Sequence, residues 1–367
     1  MRCDLTELLR CPVSGGALDL QRLDGGDGDE VETGILSCRE SGLWYPVINH
    51  VPVMLTFRTP LVEAFAREHA GALAALGDYR CPDREPMPGE QAVQSSFTSQ
   101  WRDLAEDELT FIYTDEELLA LHRDVWLHLP SGGDPGPRRV LDVGCGFGRE
   151  ARVLKEIFPN ALIVGVDLNL SLLRAAASHK EDPRLAFVIA SLFHLPFADG
   201  GFDHVHCQGV LHHTYSTGAA FRAITRCVAP GGSEFIWVYA KEDGLMEPGP
   251  WGRLVRIYLA ITHTVGRPLL SRLPAGLRDG LSAILALVLH PIYKWRSHHR
   301  RAWRYRNTLH SVRDIFTPRH AHLHGFNEVI AWFEQAGMTP VMQFPARYQA
   351  LIGKRLRGIG VLGRRDG

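Results

Sequence analysis

Long apolar runs are scarce in this sequence. The most apolar one, Leu281 to Leu289, ends at His290-Pro291, short of the roughly 20 residues that span a bilayer. It reads as a buried or interfacial helix, and no transmembrane segment is expected. Net charge is also nearly absent, since 40 Lys and Arg face 41 Asp and Glu, which removes any global signal for nucleic acid. Met1 to Arg10 alternates charged and apolar residues and lacks the apolar h-region of a secretory signal, so a cytoplasmic location is expected. The seven cysteines are odd in number and scattered. That argues against a disulfide framework and for reduced thiols or a metal site.

What is present is unevenly spread. The segment after Lys241 carries an excess of about a dozen positive charges, and the part before it is acidic by about as much. The C-terminal third is therefore a candidate for meeting something anionic, unless the two faces are merely solvated or dock on each other. Punctuation divides the chain further. Residues 1–57 hold short apolar runs between glycine-rich turns and predict a small β-rich module. Residues 58–137 read as helices, with Asp115-Glu116-Glu117 opening one as an acidic first turn. From 138 to 240 strand and helix patterns alternate, which predicts an α/β domain whose parallel sheet is covered by helices on both faces. Residues 241–316 form a proline-broken helical insert, and 317–367 a compact closing unit.

The stretch Val140-Leu-Asp-Val-Gly-Cys-Gly-Phe-Gly148 carries most of the chemistry. A buried strand ends at Val143, and Gly144, Gly146 and Gly148 let the backbone turn tightly toward a ligand at the start of the next helix. Asp142 is placed to accept from a ligand ammonium, directly or through water. Asp167 ends the second strand, where its two oxygens suit two ribose hydroxyls. A glycine-rich loop alone also fits nicotinamide and flavin enzymes. The spacing Gly-x-Gly-x-Gly, with an acid two residues before the first glycine, favours S-adenosylmethionine (SAM).

Leu195-Pro-Phe197, Phe202-Asp-His-Val205, Val210-Leu-His-His213 and Pro230-Gly-Gly232 follow in order. Together with the loop they closely resemble the class I SAM-dependent methyltransferases of the type 11, ubiquinone-biosynthesis-like branch, over about residues 138 to 240. The resemblance implies a Rossmann-like sheet. It also implies that Asp142, Gly144, Cys145 and Gly146 hold the methionine end of SAM, Asp167 and Leu168 the ribose, and Ser191 and Leu192 the adenine edge, with Gln208 near the sulfonium. The family usually has an acid where this chain has Ser191, so the contact to the adenine amino group should be weaker or taken by another residue, while the Leu192 amide can still serve.

Leu8-Leu-Arg-Cys-Pro12 and Tyr45-Pro-Val-Ile-Asn-His-Val-Pro-Val-Met54 are similar to the zinc-ribbon-like Trm112 module. That family usually binds zinc with two Cys-x-x-Cys pairs. Here Ser14 and Ser41 replace the second member of each pair, leaving Cys11 and Cys38, and structural zinc usually takes four Cys or His ligands. The expectation is a metal-free module whose apolar face, including Trp44, Val47 and Val53, packs on the core. Such modules activate methyltransferases that act on tRNA and translation factors, which keeps a macromolecular acceptor as an alternative. Cys207-Gln-Gly-Val210 lacks the Asn/Asp-Pro-Pro-Tyr/Phe motif of enzymes that methylate planar nitrogens.

Methyl transfer from a sulfonium needs positioning more than a base. For a hydroxyl or acidic carbon, His213 or His212 would suit as base. Phe97, Trp101, Tyr215 and Tyr239 are candidate acceptor contacts. Phe316-Thr-Pro-Arg-His320 and Phe326 to Gly337 resemble the post-core segment that folds over the acceptor in related enzymes, which adds Arg319, His320 and His324. The histidines at 320, 322 and 324 alternate at strand spacing and could face one side as metal ligands, but His320 and His324 are read as acceptor contacts and no metal is expected. The basic, aromatic run from Lys294 to Arg306 reads as a solvated face, and nucleic acid is not the expected partner. The insert reads as a lid, its helix from Trp251 carrying Leu254, Val255, Tyr258 and Leu259 on one stripe with Arg253 and Arg256 off it. Together these residues point to a methyltransferase for a small or lipid-like acceptor, with a SAM-binding scaffold that has lost transfer chemistry as a further alternative.

Overall fold

The computed structural model describes residues 1–24, 28–102, 113–127, 136–179, 182–241, 250–297, 299–342, 345–353 and 358–367. Four short strands, β1 (Asp19–Arg22), β2 (Gly34–Cys38), β3 (Leu43–Ile48) and β4 (Val51–Pro52), form an antiparallel N-terminal sheet in sequence order. The larger sheet uses β5 (Arg139–Val143), β6 (Leu162–Asp167), β7 (Leu185–Ile189), β8 (Phe202–Gln208), β9 (Val228–Tyr239), β10 (Met338–Met342) and β11 (Gly358–Arg365). Its order is β7-β6-β5-β8-β9-β11-β10. The pairs among β5 to β9 are parallel, while β11 runs antiparallel to both β9 and β10. This is a Rossmann-like sheet, and the order reverses at β5, which opens a crevice at the carboxyl ends of β5 and β8.

The central strands are apolar on both faces because helices cover both: Val140, Leu141, Val143, Ile163, Val164 and Val166 are all buried. Pro230-Gly-Gly232, a sequence that by local rules predicts a turn ahead of a strand, forms no such turn. It lies within β9, where the pairing jumps from Phe202 opposite Val228 to His204 opposite Ser233. Pro230 has no N–H for the ladder and Gly231 takes φ 73°, so the chain bulges there and resumes.

The N-terminal module is fastened to the open edge of the large sheet. Val53 pairs in parallel with Ile189, and the Met54 amide donates to the Ile189 carbonyl at 2.7 Å. Trp44 and Val53 are buried with Ile163 and Ile189, and Val47 with Val188. The four positions that hold zinc in the resembling family still converge, with Cys11 Sγ 3.4 Å from Ser41 Oγ and Ser14 Oγ 3.5 Å from Cys38 Sγ. Tyr45 Oη lies 3.3 Å from Cys11 Sγ. Burial pushes the Cys11 thiol up, but hydrogen bonds from Ser41, Tyr45 and Ser14 outweigh it and bring it down to about 7.

The insert begins with helix Pro250–Ile261, continues through a π-helical turn, Thr262–Gly266, and leads to helix Ala275–Arg296. The apolar run does not stop at Pro291, because the helix continues through it. Its 22 residues, with a mean hydropathy of 1.3 in the most apolar window, are long and apolar enough to cross a membrane by length and composition. Only 17% of that window is buried. Its polarity is inside out: Arg278, Ser282 and Ala286 face the protein, while Leu277, Leu281, Ile284, Val288, Ile292 and Trp295 form an exposed stripe at helical spacing. Leu254, Ile257, Ile261, Val265 and Leu269 make a second exposed stripe. Of the lid stripe expected from sequence, Leu254 is exposed; the side chains of Val255, Arg256, Tyr258 and Leu259 lie outside the described residues.

One core group predicts a measurable pH dependence. Glu234 on β9 is buried, and burial pushes its carboxyl up to about 8 against the pull of the Thr225 hydroxyl and Arg365. A folded-state value above the unfolded one means that the native chain binds the extra proton. Its contribution to stability is therefore present at low pH and is lost as pH rises from the unfolded value toward 8. Glu234→Gln should raise the melting temperature at pH 8 and flatten its fall between pH 5 and 8; an unchanged pH slope in the variant would contradict this.

Candidate functional site

A cavity of about 700 Å³ lies in the crevice where the strand order reverses. The glycine loop forms its floor. Gly144 sits at φ 77°, and a Cβ there would come within 2.2 Å of Val210, so only glycine lets the loop pass over the end of β5. Gly148, at φ 90°, caps helix Arg149–Ile157. Gly144, Cys145 and Gly146 all line the cavity.

Asp167 and Leu168 stand beside them. Asp167 Oδ2 accepts from the Gly146 amide and Oδ1 from the Asn169 amide, both at 2.8 Å. Each oxygen keeps a second lone pair, so the carboxylate can still receive a vicinal diol. Burial raises its pKa, opposed by the Asn169, Gly146 and Leu168 amides. Asn169, not singled out from sequence, braces the loop by donating to the Gly146 carbonyl at 2.9 Å.

Two expected cofactor contacts sit off the cavity wall. Asp142 is buried beneath the loop and is not among the lining residues. Burial, with the charges of Glu150 and Asp167, holds its carboxyl well above the usual range. Ser191 is also buried off the wall, its Oγ capping the short turn Leu192–His194 by accepting from the Phe193 amide at 3.2 Å. Glu90 stands beside it. This residue opens helix Glu90–Arg102, lines the cavity, accepts from the Met87 amide at 2.9 Å and is hydrogen-bonded to Ser191. An acid missing at 191 is thus present from another element, and nothing local in the sequence pairs the two positions. Leu192 lines the wall as expected.

At the far end His213 lines the cavity and His212 does not. His212 is buried against Tyr239, ring centroids 3.9 Å apart, because the turn Leu211–His213 points adjacent side chains in different directions. His213 Nδ1 donates to the His320 carbonyl at 2.9 Å, which leaves Nε2 bare in the neutral ring, 3.9 Å from Asp314 Oδ1. Burial lowers its pKa to about 4 against the attraction of Asp314. Tyr239 Oη donates to Asp314 Oδ2 at 2.8 Å. Asp314 was not read from sequence; the helix Tyr305–Phe316, at the end of the insert, brings it in.

Phe97, Trp101, Tyr215, Tyr239 and Gln208 all line the cavity. Phe97 meets His213 edge-on, with centroids 5.3 Å apart. Arg319, His320 and His324 are absent from the wall. Their segment is a latch. His324 bonds Glu328 and Thr217, each at 2.9 Å, and His322 bonds the Thr214 carbonyl at 3.0 Å. These rings are spent on fastening the turn behind His213, and Arg319 is exposed. The roof belongs to the insert, with Leu254, Leu289, Ile292 and Tyr293 closing the apolar end.

Residues 141–236 match the model of the family described as Methyltransferase domain, and residues 3–49 that described as Trm112p-like protein. The chain is similar to a malonyl-[acyl-carrier protein] O-methyltransferase of Legionella pneumophila, 38% identical over 97 residues, or 26% of this chain and 34% of that one. It is also similar to a demethylmenaquinone methyltransferase of Roseiflexus sp., 31% identical over 133 residues, or 36% of this chain and 56% of that one. These alignments span between a third and just over half of the relatives' lengths. Among solved structures, the complex between the Haloferax volcanii Trm112 methyltransferase activator and the putative methyltransferase superposes with a TM-score of 0.42 at 13% identity, covering 77% of this chain and 100% of that one.

Proposed function

We propose that this chain, which carries a class I methyltransferase domain behind a Trm112p-like module, transfers the methyl group of SAM to a lipid-like acceptor. The observation that carries the reading is the continuity of one cavity from the glycine loop and Asp167, past Gln208, to His213 and Asp314, and on to Leu289 and Ile292 of the insert. Bound SAM supplies a methyl group already activated on sulfur. In this reading the backbone of Gly144 to Gly146, its amides committed to Val166 and Asp167, borders the amino acid end, Asp167 takes the ribose hydroxyls, and Glu90 with the Leu192 amide the adenine edge. Gln208 faces the sulfonium. Phe97, Trp101 and Tyr215 hold the acceptor, and the insert excludes water.

His213 is the base for an acceptor hydroxyl or acidic carbon. Its Nε2 receives the proton and the resulting imidazolium is stabilised by Asp314. His213→Ala should lower transfer by about 100-fold or more while SAM affinity, read by calorimetry, stays within about twofold. Equal losses in both would make His213 part of the cofactor site instead.

The inside-out insert supports a lipid-like acceptor. Between residues 250 and 306 the sequence holds eleven Lys or Arg and one acid, Asp279, and Arg253, Arg272, Lys294, Arg300, Arg301, Arg304 and Arg306 are exposed around the apolar stripes. A cationic rim around an apolar face matches an anionic lipid surface. Helix Ala275–Arg296 is docked on the protein, since Tyr305 Oη donates to its Ala283 carbonyl and His290 bonds Thr308, so it would lie on the surface and not span it. RNA would match the charges but leave the leucines in water.

A further inference from the structure

Three side chains meet beneath the cavity wall, which Glu150 alone of the three lines, in an arrangement that the methyl-transfer reading does not use. His122 comes from the π-helical turn His122–Trp126, Glu150 from the first turn after the glycine loop, and His206 from β8. His122 and His206 are fully buried, and one ligating atom of each of the three lies within 4.8 Å of the others. His122 Nε2 is 3.3 Å from His206 Nε2 and 2.8 Å from Glu150 Oε2.

The hydrogen bonds around the group fix where its lone pairs point. His122 Nδ1 lies 2.8 Å from the Leu118 carbonyl, which can only accept, so Nδ1 carries the hydrogen and the neutral ring turns a bare Nε2 toward the other two groups. Glu150 Oε1 accepts from Gln208 Nε2 at 3.3 Å, while Oε2, although close to His122, takes part in no hydrogen bond. Protonation of His122 would not repair this, because an N–H aimed at Oε2 would have made that bond. With the His122 hydrogen on Nδ1, His206 Nε2–H donates to His122 Nε2, so a bound ion would take the place of that hydrogen, which moves to the unpartnered His206 Nδ1, and would receive a lone pair from each ring and from Glu150 Oε2. Two imidazoles and a carboxylate suit a first-row divalent transition ion, and a carbonyl holding the far nitrogen of a ligating histidine is the usual outer support of such a site. A π-helical turn supplying one of the ligands adds to the argument, since such turns recur at functional positions.

We infer that His122, Glu150 and His206 bind one divalent transition-metal ion of the zinc, cobalt or iron(II) class. The ion ties the helix Asp115–Leu121 and its π-turn to the cofactor helix and to β8. Glu150 and Gln208 line the cavity, so the ion would stand beside the space in which methyl transfer is proposed; any part in that reaction, unlike the binding itself, rests on the methyltransferase reading. This departs from the sequence expectation of no metal.

The test uses the full chain, stripped with a chelator, checked by circular dichroism and titrated with Co(II) and Zn(II). One ion per chain is expected, with visible Co(II) bands and no thiolate charge-transfer band, because the ligands are nitrogen and oxygen. His206→Gln and Glu150→Gln should each abolish binding, Gln208→Ala should weaken it by about tenfold, and Cys11→Ser with Cys38→Ser should leave it unchanged. If His206→Gln does not fold, Glu150→Gln alone decides. A folded parent that binds neither ion, or binding that disappears with the cysteines, overturns the site. SAM calorimetry on the same samples separates the two proposals: SAM binding without metal removes only this one, and metal without SAM removes only the other.

Discussion

Vesicles of phosphatidylcholine mixed with phosphatidylglycerol should carry the protein into the pellet on centrifugation, and vesicles of phosphatidylcholine alone should carry far less. The exposed stripe includes Ile284 at 62%, Leu287 at 67% and Val288 at 67% exposure, an apolar area that is costly to leave in water. The cations around it should each add about 1 kcal/mol at an anionic surface. Replacing Lys294, Arg300, Arg301 and Arg304 with Gln should therefore weaken binding by roughly three orders of magnitude at low salt. Ile284→Asp with Val288→Asp should abolish it at any salt while leaving SAM affinity unchanged. A dimer in vesicle-free buffer that the aspartates dissociate would assign the face to a second copy, and binding indifferent to lipid charge would remove the electrostatic half of the account.

Asp167→Ala should weaken SAM binding by about 3 kcal/mol or more, a loss of over a hundredfold, since charge-assisted hydrogen bonds contribute roughly 1.5 to 3 kcal/mol each. Part of that loss comes from the loop, because the same carboxylate holds the Gly146 and Asn169 amides. Asp167→Asn keeps one acceptor oxygen and should fall between parent and Ala. An affinity within about twofold of the parent in a folded Ala variant would take Asp167 out of the site.

The parts of this molecule legible in the sequence are those whose chemistry is local. A strand, three glycines and an acid at the end of the next strand follow one another between residues 139 and 167, so the loop and Asp167 could be read directly, as could the alternation that builds the sheet. Glu90 and Asp314 could not. Each reaches the cavity from a helix far along the chain, and no spacing rule links Glu90 to Ser191 or Asp314 to His213. His320 and His324 read as acceptor contacts, but neither reaches the cavity wall, and Glu328 and Thr217 claim both His324 nitrogens. Helix Ala275–Arg296 misled for another reason. Its proline marks an end by local rules, yet packing against helix Tyr305–Phe316 carries the helix on, and the outward leucines show only when the neighbouring helix is in place.

The central claim is that cofactor and lipid-like acceptor meet in one cavity. Its most direct test incubates the protein with methyl-labelled SAM and fractionated extract containing membranes, then separates organic-soluble, RNA and protein fractions. Label should enter the organic-soluble fraction, at a rate that falls when His213 is replaced by Ala. Label confined to RNA or protein, or tight SAM binding with no label transferred anywhere, would contradict the account.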